Sequence, residues 1–116
     1  MKKYLLVLVA FNCMFYSCNK NKVSPVPACI LQRIEQIKKE PRWNPAAEVN
    51  QYTYNGKTVY SISSDCCDQY NMVVDESCGS LCAPGGGITG RGDGKCADFP
   101  EKAQFVRKVW KDERTQ

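Results

Sequence analysis

The chain contains no histidine among its 116 residues. That absence removes Ser-His and Cys-His nucleophile activation, imidazole general-base catalysis and the usual mixed Cys/His zinc sites. A carboxylate mechanism would need a spaced acid pair, and none stands out among Asp65, Asp68, Asp75, Glu76, Asp93 and Asp98. The expectation is therefore a protein that is not an enzyme and carries no cofactor. Charge of one sign is also scarce. Lys2 and Lys3 belong to a leader, so the 16 Lys and Arg fall to 14 in the remainder, against 12 Asp and Glu. No concentrated basic stripe marks a nucleic-acid partner.

Long apolar runs are limited to one. Lys2 and Lys3 followed by Tyr4 to Tyr16 make the charged and apolar regions of an export signal. The run covers about 13 residues, too short for a bilayer span, which needs roughly 20. Phe15-Tyr16-Ser17-Cys18 resembles the lipobox of bacterial lipoproteins, in the looser form of Bacteroidota, with small Ser17 just before the cysteine. Cys13 competes, but the larger Asn12 precedes it. The resemblance implies cleavage after residue 17, acylation of Cys18 and a lipid anchor on the outer membrane, at its periplasmic face or the cell surface. Each buried methylene of the acyl chains contributes about 0.8 kcal/mol to that attachment.

Removing the leader takes Cys13, and lipidation uses Cys18. Cys29, Cys66, Cys67, Cys78, Cys82 and Cys96 remain. An even count in a small exported domain predicts a disulfide framework, with 15 possible connectivities for six cysteines. A zinc site made of these thiols would compete with oxidation outside the cytoplasm, so bridges are the expected use and no metal is assigned. Adjacent side chains of an extended segment point to opposite faces. Cys66 and Cys67 are therefore expected to part company, one reaching Cys29 and the other the glycine region.

The stretch from Cys66 to Cys96 holds five of the eight cysteines and seven of the eight glycines. The rest reads as scaffolding. Residues 19–27 are a polar, proline-bearing linker. A helix is predicted over Ala28 to Glu40, with Ile30, Ile34 and Ile37 on one face and Pro41 as its stop. Glu48 to Tyr54 and Lys57 to Ser64 flank Asn55-Gly56, a strong hairpin signal because both central residues take positive φ. Tyr70 to Asp75 is a third strand, Pro84 to Lys95 a loop, and Ala103, Val106, Val109 and Trp110 the apolar stripe of a second helix that Asp98 would cap. The fold expected is α+β: two helices, a three-stranded antiparallel sheet and a cross-linked glycine loop. It forms a single domain over residues 28–113 with a short tail at 114–116.

Within the loop, Gly85, Gly86, Gly87, Ile88, Thr89, Gly90, Arg91, Gly92, Asp93 and Gly94 are the candidate recognition residues. Gly85 to Gly90 also spells the dinucleotide pattern G-x-G-x-x-G, but Cys82-Ala83-Pro84 does not read as the preceding strand and no helix follows. Arg91-Gly92-Asp93 is the integrin tripeptide, for which Asp93 has a competing use as a turn former with Gly94. Asp93 with Asp98 or Asp75 and loop carbonyls offers calcium ligands, although the spacing lacks the acid series of an EF-hand.

Asp65-Cys66-Cys67-Asp68-Gln69-Tyr70-Asn71 and the run from Cys82 to Cys96, CAPGGGITGRGDGKC, resemble a domain-of-unknown-function family of small Bacteroidota lipoproteins. The resemblance covers about Cys29 to Phe99. It implies an envelope location and an architecture, without an activity. The expected function is a lipid-anchored, non-enzymatic envelope protein whose bridged loop recognises an envelope protein or glycan. An inhibitor of a secreted hydrolase is the first alternative, and a calcium- or sugar-binding module the second.

Overall fold

The computed structural model describes residues 25–66 and 68–115. Cys18, the lipobox before it and Cys67 lie outside the described residues. Helix α1 spans Ala28–Lys38, followed by strands β1 (Glu48–Tyr54), β2 (Lys57–Ile62), β3 (Tyr70–Val74) and β4 (Ser80–Gly86). One turn of helix, α2 (Phe99–Lys102), precedes strand β5 (Gln104–Lys111). The strands form a single antiparallel sheet in the order β4-β3-β2-β1-β5.

The first half follows the sequence expectation closely. Pro27 stands at the N-cap of α1, where its missing N–H costs nothing. Ile30, Ile34 and Ile37 form the buried stripe, and Leu31 is exposed. Ile30 and Ile37 are fully buried, which stabilises the fold by about 1.5–3 kcal/mol each. Asn55 and Gly56 take φ of 51° and 75°, and β1 and β2 pair in register across them, Tyr54 against Lys57.

The second half corrects the expectation of three strands and two helices. Residues 104–111 are not a helix but an edge strand paired with β1. Ser80–Gly86, whose last three residues fall in the expected loop, is the opposite edge strand. It tolerates Pro84, Gly85 and Gly86 because an edge strand need bond a neighbour on one side alone. The sheet is therefore five strands wide. To travel from β4 at one edge to β5 at the other, the chain must cross the whole sheet, and the glycine loop and α2 make that crossing.

The sheet is apolar on both faces. Val49, Tyr60 and Val74 pack under Ile30 and Ile34 of α1, with Ile62, Met72, Val109 and Trp110 at the margin. Their in-line neighbours Val59 and Val73 point the other way, onto Cys82, Cys96 and Phe99. Tyr52 and Tyr54 pack against Phe99 there, each with ring centroids 5.1 Å from it. Trp43 is buried with Ile37 and Ala47.

The cysteine pairing also differs from expectation. Cys29 bonds to Cys78, not to Cys66 or Cys67, and Cys82 bonds to Cys96. Cys66 is disulfide-bonded as well, outside these two pairs. The reason for the first pair lies in the turn after β3. Asp75 accepts hydrogen bonds from the Ser77 and Gly79 amides, at 2.8 Å each, and Cys78 adopts a left-handed φ of 63°. That turn sits at the start of α1, which brings Cys78 within 6.2 Å of Cys29, Cα to Cα.

The residues after β5 do structural work. The Arg114 guanidinium donates to the carbonyls of Lys38 at 2.9 Å and Glu40 at 3.0 Å, at the C-terminus of α1 where a cation is favoured. It also bonds both carboxylate oxygens of buried Asp112, at 2.9 and 2.7 Å. Those hydrogen bonds, and the Arg114 charge after them, lower the Asp112 carboxyl from 3.8 to about 2. A depressed carboxyl contributes stability that is present above its unfolded value and lost as pH falls through the folded one. Urea midpoints are expected to fall between about pH 4 and pH 2, with a shallower fall in Asp112→Asn.

Tyr60 is fully buried, and its hydroxyl has no hydrogen-bond partner among the described residues. Burial pushes that hydroxyl above its usual pKa. Because an unpaired buried hydroxyl costs about 1–3 kcal/mol, Tyr60→Phe should leave the melting midpoint unchanged or raise it. A clear drop in thermal denaturation would overturn this reading of the core.

Candidate functional site: the bridged glycine loop

The site begins where β4 ends. At Gly86 the chain takes φ of 79° and passes so close to the β3 side that an added Cβ would sit 2.4 Å from the Gln69 carbonyl oxygen. Gly87 donates its amide to that same carbonyl at 3.0 Å. The chain then reverses through Ile88 and Thr89, closed by Gly90 N–H to the Gly87 carbonyl at 3.2 Å. On its return, Gly92 donates to Gly86 at 3.0 Å and Asp93 donates to Ala83 at 2.9 Å. A Cβ at Gly92 would meet the Ala83 carbonyl oxygen at 1.9 Å, so only glycine permits this approach. Asp93 then accepts from the Lys95 amide at 3.0 Å, and Cys96 closes the circuit to Cys82.

The result is a loop anchored through its backbone to β4 and to the residue before β3, and tied covalently at its base. The bridge joins residues separated by 14 positions, for which restriction of the unfolded chain contributes about 3 kcal/mol. At its tip Ile88 is 88% exposed, with Thr89, Gly90 and Arg91 exposed beside it. An aliphatic side chain held out in water on a constrained turn gains nothing for folding. The sequence reading placed Ile88 in the candidate stretch without singling it out. The signal was present as the one large apolar residue in a run of glycines.

The geometry also decides between the motif readings. A strand does precede Gly85-Gly86-Gly87-Ile88-Thr89-Gly90, contrary to expectation, but five of the loop's amides are already engaged. The amides of Gly87, Gly90, Gly92 and Asp93 bond to backbone carbonyls, and that of Arg91 bonds to Thr89 Oγ1 at 3.2 Å. A nest for an anion needs those donors free. In Arg91-Gly92-Asp93 the acid is committed to its own turn. The Lys95 amide is the main cause that holds the Asp93 carboxyl below its usual range.

The three acids considered for calcium do not converge. Asp75 is the β3–β4 turn acceptor described above. Asp98 accepts a hydrogen bond from the Tyr54 hydroxyl and pairs with Lys102 at 3.4 Å. The Tyr54 bond is the largest influence lowering the Asp98 carboxyl, and it raises the Tyr54 hydroxyl in return. Asp98 stands at the N-cap of α2, yet its side chain makes no cap bond there, because Tyr54 and Lys102 take it. Among the described residues no group of three His, Cys, Asp or Glu is placed to hold a metal ion.

A disulfide-tied antiparallel sheet with a constrained surface loop defines a small bridged scaffold. The family model described as Domain of unknown function (DUF6970) matches residues 35–112, from within α1 to just beyond β5, and the chain belongs to that family. No curated protein and no solved structure matches the chain.

The glycines divide by what surrounds them. Gly92→Val should destabilise the protein by several kcal/mol, well beyond the roughly 1–2 kcal/mol of left-handed strain expected for Gly94→Ala, which has open space around it. Lys95→Ala should leave the thermal midpoint within error. Equal midpoints for Gly92→Val and Gly94→Ala would show that the loop does not approach β4 as described.

Proposed function

We propose that this protein is a lipid-anchored, non-enzymatic recognition protein of the bacterial cell envelope, acylated at Cys18, whose bridged loop presents Ile88 to a protein or glycan partner. The observation that carries the reading is the 88% exposure of Ile88 on a loop fastened by four backbone–backbone hydrogen bonds, a fifth from the Arg91 amide to the Thr89 hydroxyl, and a disulfide. A side chain already held in its bound geometry loses less entropy on association, so such a loop converts contact into affinity efficiently. The exported, outer-membrane setting is supported by Lys2-Lys3, the apolar run to Tyr16 and Ser17-Cys18, and by the oxidised state of the cysteines. The Cys66-Cys67 and Cys82-to-Cys96 motifs favour an origin in Bacteroidota.

Inhibition of a secreted hydrolase is the second reading. The anchoring of Gly92 and Asp93 back onto β4 favours it, because a loop entering a cleft must resist being bent into a substrate's course.

Metabolic labelling with an alkyne fatty acid should tag the wild-type protein in its membrane and fail to tag Cys18→Ser. In the same membranes, photo-crosslinking should join the loop to a defined partner, with Ile88→Glu abolishing the product and Leu31→Glu, an exposed change on α1, preserving it. Crosslinks that survive Ile88→Glu unchanged would sink the recognition role. A protease and glycosidase panel separates the two readings, since only the second expects inhibition at nanomolar concentration.

A further inference from the structure

A cleft of about 390 Å³ opens between α1 and the β2–β3 side of the sheet, and Ile88 is not part of its lining. Its volume lies in the range of small-molecule sites. Its chemistry is selective. Among its 14 lining residues one, Arg33, is charged, and none is a carboxylate, in a chain that carries 12 acids. Seven of the 14 carry amides or hydroxyls, including Gln32, Gln36, Gln69, Ser64 and Tyr70, while Ile62 and Met72 supply apolar surface beneath them.

Arg33 is set for an anion. Its guanidinium carbon lies 5.8 Å from the centroid of the Trp43 ring, and Nη1 donates to Gln36 Oε1 at 3.5 Å. Among the described residues no acid pairs with it. The guanidinium is thus steered by an aromatic face and an amide and keeps most of its five donors for a ligand. Tyr70 is held at the rim because its ring lies against Gly87, where an added Cβ would be 2.5 Å from Tyr70 Cε1. The residue remains 48% exposed, with its aromatic ring beside hydrogen-bonding side chains.

We propose that this cleft binds a small hydroxylated carboxylate, an acidic sugar, with Arg33 as the counter-ion of the carboxylate and the amide and hydroxyl side chains as partners of the ring hydroxyls. A purely apolar acid would leave those amides and hydroxyls unpaired, and a multiply charged phosphate would find a single cation. The site is independent of the Ile88 reading, and either can fail alone.

Titration of the full-length protein, followed by ¹H–¹⁵N correlation spectra, tests it with sodium glucuronate, glucose and sodium acetate as probes. Glucuronate should move the amides of Ser64, Gln69 and Tyr70 and bind roughly tenfold more tightly than either glucose or acetate, the worth of one charge-assisted hydrogen bond. Arg33→Gln should cancel that advantage. Gln32→Glu, on an exposed position that the fold does not depend on, should weaken glucuronate by roughly tenfold through like charge without changing the melting midpoint. Glucuronate that leaves the cleft amides unmoved, binds no better than glucose or acetate, or ignores Gln32→Glu in the folded protein overturns the assignment.

Discussion

A sheet with apolar side chains on both faces has to be covered twice, and the described residues include one helix of any length with which to do it. Val49, Tyr60 and Val74 go under α1, which leaves Val59 and Val73 facing the other way. Their cover is the traverse from β4 to β5, a segment rich in glycine that contributes one large apolar side chain, Phe99, to the interior. Such a segment has little to gain from burial and much backbone entropy to lose. Its closure by Cys82–Cys96 and its backbone bonds to β4 supply what its side chains do not. The other bridge, Cys29–Cys78, performs the matching role for α1. Each face of the sheet thus has its own cover and its own covalent tie.

The same crossing decides how the sheet ends. An exposed edge invites pairing with another chain, and both edges here carry a deterrent. The β4 edge contains Pro84, and its end is occupied by the isolated bridge of Gly86 with Arg91 from the returning loop. On the opposite edge, β5 carries Arg107, Lys108 and Lys111 and pairs with β1 through two register shifts. Those irregularities twist the strand away from a flat template. Strand addition is therefore disfavoured at either side.

The legible parts of the fold were those whose neighbours in sequence are also neighbours in space. The α1 stripe repeats every three or four residues, and Asn55-Gly56 has one common use between two strands, so local pattern sufficed. The faces of β1 to β3 could not be read by alternation because both faces are apolar, which erases the signal. Ala103, Val106, Val109 and Trp110 suggest a helix by spacing, yet register shifts in the pairing with β1 break the twofold pattern of a real strand. The aromatic and β-branched content of Gln104–Lys111 was the better guide. Disulfide connectivity was out of reach, since the Cys29–Cys78 pair depends on how the turn at Asp75 lies against α1. The candidate loop was legible as a location, but its exposed Ile88 and internally satisfied amides were not.

Gln69 and Tyr70 join the two surfaces that this fold offers. The Gln69 carbonyl receives Gly87 of the loop while its side chain lines the cleft, and the Tyr70 ring supports Gly87 while forming the rim of the same cleft. Gln69 immediately precedes β3 and Tyr70 opens it, a few residues after the adjacent cysteine pair of the sequence. A substitution at either position would disturb loop and cleft together and could not assign an effect to one of them. Ile88 and Gln32 lie outside this junction, one at the loop tip and one on α1, where it lines the cleft. Their side chains touch a single surface each, so the roles of loop and cleft are physically separable although the backbone that builds them is shared.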